Sequence, residues 1–230
     1  MKKIAILSAM SKELDQFKSL YSDFKQINIG GIRAFEVVDD EKHILLTESG
    51  MGKVCAATNA IEIIREFKPE MLINSGCAGS LSNDVEVKDV VISTGFSYHD
   101  VWFWEPNKYG QVQGFPAVFK ADEKLLKTAQ KIFKNHKDVH FGLICTGDKF
   151  ISHPDDIQKI LGHFPDVLAV DMEAAAIAQV CYMYKTPLLS LKVISDNPVK
   201  YPSGYKQYND FWSGMADTSF DILKNLIKGL

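Results

Sequence analysis

The 230-residue chain contains no run of about 18 apolar residues, so no stretch of it reads as a membrane-spanning helix. It has no excess of positive charge. A formal net charge of −3 leaves no global field to draw it to nucleic acid or to an anionic membrane surface. The four cysteines, Cys55, Cys77, Cys145 and Cys181, form no CxxC pair and stand in apolar or glycine-rich surroundings. Buried thiols of a cytoplasmic protein are expected, rather than disulfides or a zinc site. The six histidines, His43, His99, His136, His140, His153 and His163, show no HExxH-like spacing, so no metal site is expected. The nucleotide loops are incomplete as well. Gly50-Met51-Gly52-Lys53-Val54-Cys55 approaches GxGxxG, but Cys55 stands at the third glycine and no acid ends the next strand to hold a ribose. Thr47 and Val54 spoil a Walker loop around Gly52-Lys53. There is no GxSxG elbow, and no cysteine has an evident histidine partner.

What is present is an ordinary globular composition. Hydrophobic residues make up 46% and charged residues 24%, which argues against disorder. With no internal repeat, low-complexity tract or linker, residues 1–230 read as one domain. The N-terminus is basic then apolar, but Lys12 and Glu13 follow too soon for a signal peptide, and residues 3–7 read as a first buried strand. Ser11 can cap a helix from Lys12 with Leu14, Phe17, Leu20 and Tyr21 on its apolar face. Residues 35–38 and 43–47 read as a hairpin. Ser49-Gly50-Met51-Gly52-Lys53 then opens a helix with a stripe of Val54, Ala57, Ile61, Ile64 and Phe67, ended by Pro69. Further strands are expected at 71–75, 90–93, 141–145, 168–170 and 188–194, with helices at 122–133, 154–161 and 208–228. The last helix would turn Phe211, Met215, Ile222, Leu223, Leu226 and Ile227 inward, after a polar loop at 197–207. This alternation predicts an α/β fold: a central, mixed, mostly parallel twisted sheet flanked by helices. Residues 97–116 lack any period yet carry Tyr98, Trp102, Phe103, Trp104, Tyr109 and Phe115; such a loop is either a lid or partner surface, or is tucked onto its own domain.

In such a sheet, ligands bind beyond the carboxyl ends of the strands. There the chain places Met10 and Glu13, then Gly50-Met51-Gly52, then Gly76-Cys77-Ala78-Gly79. Phe150 and Ile151, Met172 and Glu173, and Ser195 and Asp196 follow. Carboxylates, close-approach glycines and apolar groups together predict a pocket for a small, flat, partly apolar molecule with hydroxyls. Asp196 ends a buried strand, where desolvation raises a carboxyl pKa. Glu13 could activate water or merely cap a helix, and Glu173 could be a first-turn cap. An acid on one side and a base on the other is the arrangement that breaks glycosidic bonds.

Six ordered motifs carry a resemblance: Ala9-Met10 with Glu13, Ser49-Gly50-Met51-Gly52-Lys53-Val54, Asn74-Ser75-Gly76-Cys77-Ala78-Gly79, Gly147-Asp148 with Phe150-Ile151, Val170-Asp171-Met172-Glu173-Ala174, and Ile194-Ser195-Asp196. With these the chain resembles the 5′-methylthioadenosine/S-adenosylhomocysteine nucleosidases of the nucleoside phosphorylase superfamily, over nearly its whole length and more weakly in 101–109 and 197–208. The resemblance implies hydrolysis of the N-glycosidic bond of a 5′-thio-substituted adenosine, without metal or cofactor, by a cytoplasmic homodimer. It implies that Glu13 activates water, Asp196 protonates adenine N7 with Ser195 placing it, and Glu173 accepts from the ribose hydroxyls with Met172 packing on the sugar. Phe150 would stack on adenine and the Ile151 backbone would read its edge. Met10 and Met51 would line the 5′-thioalkyl side, Tyr208 is the candidate aromatic to cover the ribose, and Cys77 would contact the substrate. The chain departs from the family pattern at Cys77 (serine is usual), Asp171 (glutamate), Lys192 (arginine) and in 101–107. A phosphate-dependent phosphorylase and a non-catalytic adenosine-binding protein are the alternatives. The sequence does not rank methylthio-, homocysteinyl-, deoxy- and aminofutalosine-type substrates.

Overall fold

The computed structural model describes all residues except 20, 22, 202–203 and 214–217. Ten strands form one sheet: β1 (Lys2–Ser8), β2 (Lys25–Ile29), β3 (Ile32–Asp39), β4 (Lys42–Glu48), β5 (Met71–Ser80), β6 (Val90–Tyr98), β7 (Phe119–Lys120), β8 (Val139–Thr146), β9 (Val167–Asp171) and β10 (Leu188–Asp196). Seven helices flank it among the described residues: α1 (Ser11–Ser19), α2 (Lys53–Glu66), α3 (Glu123–Ile132), α4 (Pro154–His163), α5 (Ala174–Tyr184), α6 (Gly204–Ser213) and α7 (Thr218–Gly229).

Sheet order runs β10-β6-β8-β9-β5-β1-β4-β3-β2, and β10 also pairs with β5. The strands β5, β10, β6, β8 and β9 therefore close into a ring, and β1, β4, β3 and β2 extend from β5 as an open wing. Pairing is mixed, with parallel ladders such as β1 on β4 and β5 on β10, and antiparallel ones such as β10 on β6. Ile4 to Leu7 of β1 are buried on both faces, which is why they read as a continuous apolar run, and Leu188 to Ile194 of β10 are equally buried, Ser190 and Lys192 included. The alanines that open α5 are buried, as are Ala56 and Ala60 of α2, which packs on α5. Their lack of bulk lets the two helices approach closely.

Several sequence expectations are corrected. Gly76 to Gly79 belong to β5 itself and are not a loop after it, and Ser195 and Asp196 belong to β10. Glycine in a strand here reflects close approach by a neighbouring group, not chain reversal. The edge strand β2 was not expected, because its exposed and half-buried residues give little apolar signal. Val54 is 77% exposed; the buried stripe of α2 is Ala56, Ala60 and Ile63, leading to Phe67, a face disguised by its small residues. Ser11 does not cap α1: it lies within the helix and its Oγ donates to Glu48. The expected helix 208–228 is two helices, and α6 begins at Gly204, inside the expected polar loop. Leu20 and Met215, both expected on apolar faces, lie outside the described residues.

Candidate active site

A cavity of about 500 Å³ opens at the carboxyl ends of β1, β5, β8, β9 and β10. It brings together all eleven residues expected at a site: Met10, Glu13, Met51, Cys77, Phe150, Ile151, Met172, Glu173, Ser195, Asp196 and Tyr208. Its wall also includes Asp148, Lys149 and Tyr205. Tyr205 was missed because 197–207 reads as a polar loop; its spacing from Tyr208, one helical turn, was the available signal.

Glu13 sits in the first turn of α1, and its carboxylate is held by three backbone donors. Oε2 accepts from the N–H groups of Ala9 (2.8 Å) and Met10 (3.0 Å), and Oε1 from that of Cys77 (2.8 Å). Burial raises its pKa, against the opposing pull of Lys192 and these N–H groups. Gly76 leaves the room: a Cβ there would lie 2.6 Å from Glu13 Oε1.

Asp196 sits where the β5–β10 register shifts, between Ile194 and Asp196, an irregularity that re-aims a side chain. Its Oδ1 accepts from Ser195 Oγ at 2.7 Å. Its Oδ2 is buried and has no hydrogen-bond partner among the described residues. Burial pushes the pKa up to about 6, with the Ser195 hydrogen bond opposing it. Gly79 stands against that oxygen, and a Cβ there would come within 3.1 Å.

Glu173 precedes α5, but its side chain makes no capping hydrogen bond to the helix. Asp171 fills that place, accepting from Ala174 N–H at 3.1 Å. Glu173 Oε1 instead accepts from Gly52 N–H at the start of α2 (3.0 Å), and Oε2 lies 4.0 Å from Lys192 Nζ. Burial raises its pKa to about 7; Lys192 and Gly52 pull it down, and Asp171 and Glu13 push it up. Lys192 is 1% exposed, with Nζ 2.9 Å from Asp171 Oδ2. Burial alone would lower its pKa, but Asp171, Glu173 and Glu13 more than reverse this. Burial and then Glu13 keep the Cys77 thiol protonated well past its ordinary range.

Part of the cavity wall is aromatic. Phe150, 39% exposed, meets Tyr208 edge-on at 5.6 Å and Tyr205 at 6.1 Å. Tyr208 donates to Met10 Sδ at 3.5 Å. A neighbouring annex of about 550 Å³ shares Met10, Met51 and Tyr208 with this cavity and is also lined by Lys12, Glu48 and Trp212. A wider groove, about 620 Å³, lies along α5 near Tyr182 and Met183; its one acid, Asp122, is occupied capping α3. The aromatic loop is divided. Tyr109 stacks on His163 and Phe115 packs on Phe119 and Tyr182, whereas Trp102, Phe103 and Trp104 are 56%, 60% and 65% exposed.

A closed strand ring ending in a cavity lined by aromatic rings and buried carboxylates is the frame of a nucleoside-binding α/β protein. Residues 3–228 match the phosphorylase superfamily. A curated relative from Bacillus pumilus, a 5′-methylthioadenosine/S-adenosylhomocysteine nucleosidase, is 37% identical over 229 residues, 98% of each chain. The Neisseria meningitidis nucleosidase of the same name, solved with methylthio-immucillin-A, superposes with a TM-score of 0.92 at 34% identity, covering 100% of both chains. The futalosine hydrolase of Helicobacter pylori superposes with a TM-score of 0.92 at 27% identity, also over 100% of both chains. The chain belongs to the phosphorylase superfamily and, within it, to the 5′-methylthioadenosine/S-adenosylhomocysteine nucleosidase family.

Proposed function

We propose that the whole chain, as one unit over residues 1–230, hydrolyses the N-glycosidic bond of 5′-methylthioadenosine, S-adenosylhomocysteine or both. The observation that carries this is the buried Asp196 Oδ2, without a hydrogen-bond partner among the described residues, on the same cavity as a Glu13 pinned by three N–H groups. Asp196 gives a proton to adenine N7. The C1′–N9 pair of electrons leaves with the base, water adds to C1′, and Glu13 takes the water's proton. Adenine and a 5′-thioribose are the products. Ser195 orients Asp196. Glu173 accepts from the ribose hydroxyls, a task suited to an acceptor-only group, and Met172 packs on the sugar, with Tyr208 covering it. Phe150 stacks on adenine, whose edge meets the Ile151 backbone. Met10 and Met51 line the 5′-substituent, which points to the annex, and Cys77 flanks the attacking water.

Water suits this site better than phosphate. Neither arginine of the chain, Arg33 or Arg65, lines the cavity, and Glu13, Glu173 and Asp196 would repel a phosphate dianion. In phosphate-free buffer, methylthioadenosine is expected to yield adenine, and a panel adding S-adenosylhomocysteine, 5′-deoxyadenosine and aminofutalosine, with and without phosphate, ranks the substrates. Turnover only with phosphate, giving a sugar 1-phosphate, would establish a phosphorylase, and binding without turnover would establish a binding protein. Gly76→Ala tests the placement of Glu13. The added methyl group must displace the carboxylate, so kcat should fall about a hundredfold, as expected for misplacement near 1 Å, with unchanged circular dichroism. An unchanged rate would remove Glu13 from the reacting centre.

The same proposal includes a cytoplasmic homodimer. Val54 on α2, Tyr182 and Met183 on α5, and Trp102, Phe103 and Trp104 are exposed apolar side chains that a second copy could cover. No helix among the described residues is long and apolar enough to cross a membrane. Light scattering at micromolar concentration should give twice the chain mass; a monomer refutes the dimer.

A further inference from the structure

Three charged residues remote in sequence meet beside the cavity without lining the Glu13–Asp196 side of it. Lys53 Nζ lies 2.6 Å from Asp100 Oδ2 and 3.8 Å from Asp148 Oδ2. Asp100 Oδ2 also accepts from Asp148 N–H at 2.9 Å, and Asp148 Oδ1 accepts from Lys53 N–H at 2.8 Å. The neighbouring backbone is laid tightly on this junction. His99 N–H donates to Thr146 O at 2.8 Å, and Gly147 lies so close to the His99 ring that a Cβ would meet Cε1 at 2.3 Å. Two residues past Asp148 come Phe150 and Ile151, on the cavity wall. The start of α2 thus serves two walls: Gly52 N–H holds Glu173, and Lys53 N–H holds Asp148.

We propose that Asp100, braced by Lys53, is a positioning residue for purine binding, because its carboxylate fixes segment 147–151 and so the platform that Phe150 and Ile151 offer the base. This rests on the assignment of that wall to adenine in the proposed function. Asp100 touches no substrate; it acts through the Asp148 N–H, a charge-assisted hydrogen bond of the stronger kind. Lys53 neutralises the two aspartates that would otherwise repel each other at this spot.

The test compares the intact wild-type chain with Asp100→Ala, Asp100→Asn and Lys53→Met. Steady-state kinetics on methylthioadenosine, calorimetric binding of adenine, and amide hydrogen exchange across 147–151 are read together. Asp100→Ala is expected to raise KM and the adenine Kd about tenfold while kcat stays within about threefold, and to speed exchange in 147–151. Asp100→Asn, whose side-chain oxygen still accepts the Asp148 N–H, should recover most of the KM. Lys53→Met should move the same quantities in the same direction by less, and it carries the test should Asp100→Ala fail to fold. An active wild type with unaltered KM, Kd and exchange in these variants overturns the positioning role alone, as does a fall in kcat with KM unchanged. A wild-type chain that neither binds adenine nor cleaves the nucleoside overturns the purine assignment, and the positioning role with it.

Discussion

Asp196→Asn is expected to lower kcat by about 10²–10⁴, the range that a positioned general acid contributes, and to leave the fold intact. Adenine leaves poorly as an anion, so the C1′–N9 bond breaks only as N7 gains a proton. The side chain supplies that proton from an oxygen that is buried, on the cavity wall and without a hydrogen-bond partner among the described residues. Asn keeps the size of the side chain but has no acidic proton. Because burial raises the Asp196 pKa to about 6, kcat/KM of the wild type should fall as pH rises through that value, and this limb should vanish in Asp196→Asn. Stability should fall over the same range. A carboxyl whose folded pKa is raised from 3.8 to about 6 contributes most below 3.8 and loses that contribution as pH climbs through 6. Above pH 6 the Asn variant should therefore be the more stable, by about 3 kcal/mol at most, at about 1.4 kcal/mol per pKa unit. Full activity in Asp196→Asn would remove this residue from the chemistry. Unaltered pH dependence of its melting temperature would remove the argument from burial.

Asp196 is legible from sequence for a simple reason. An acid that follows the mostly apolar strand Leu188 to Ile194 lies at the end of that strand, and a parallel α/β sheet gathers such ends. Glu13, Glu173 and the glycine-rich stretches are legible in the same way. What is not legible is set by contacts distant in sequence. The closure of the ring depends on β5 meeting both β9 and β10, which no local period encodes. Asp171 and Glu173 are two residues apart on one turn, and composition cannot say which caps α5; the structure gives that task to Asp171 and leaves Glu173 to Gly52 and the cavity. The Lys53–Asp100–Asp148 junction joins three chain segments, so nothing in any one of them announces it. Tyr205 stays hidden because prolines and a glycine in 197–207 mask the helix that begins at Gly204.

Lys192→Met is expected to be the most destabilising change near the site, costing about 3–5 kcal/mol, the typical penalty for removing one partner from a buried ion pair. For a chain of this length that corresponds to a fall in Tm of roughly 6–20 °C. The lysine is the buried cation shared by Asp171 at 2.9 Å, Glu173 at 4.0 Å and, by longer-range attraction, Glu13. Asp171 cannot move away, because Thr146 Oγ1 and Ala174 N–H both donate to it. Without the ammonium, some of these carboxyls must take up protons. Glu173, whose pKa is already about 7, and Glu13, already raised, would both rise further. Since Glu13 must be ionised to take the water's proton and Glu173 to accept the ribose hydroxyls, the acidic limb of kcat against pH should move upward. The folded pKa of Lys192 is itself raised, so its contribution is fully present throughout neutral pH and is lost only on the alkaline side. Asp171→Asn in the Lys192→Met background should restore part of the lost stability, because it removes the charge left without a partner. Thermal melts and pH–rate profiles of the two single variants and the double variant decide this. A Lys192→Met chain as stable as wild type with an unmoved acidic limb would mean that the three carboxylates do not depend on this cation.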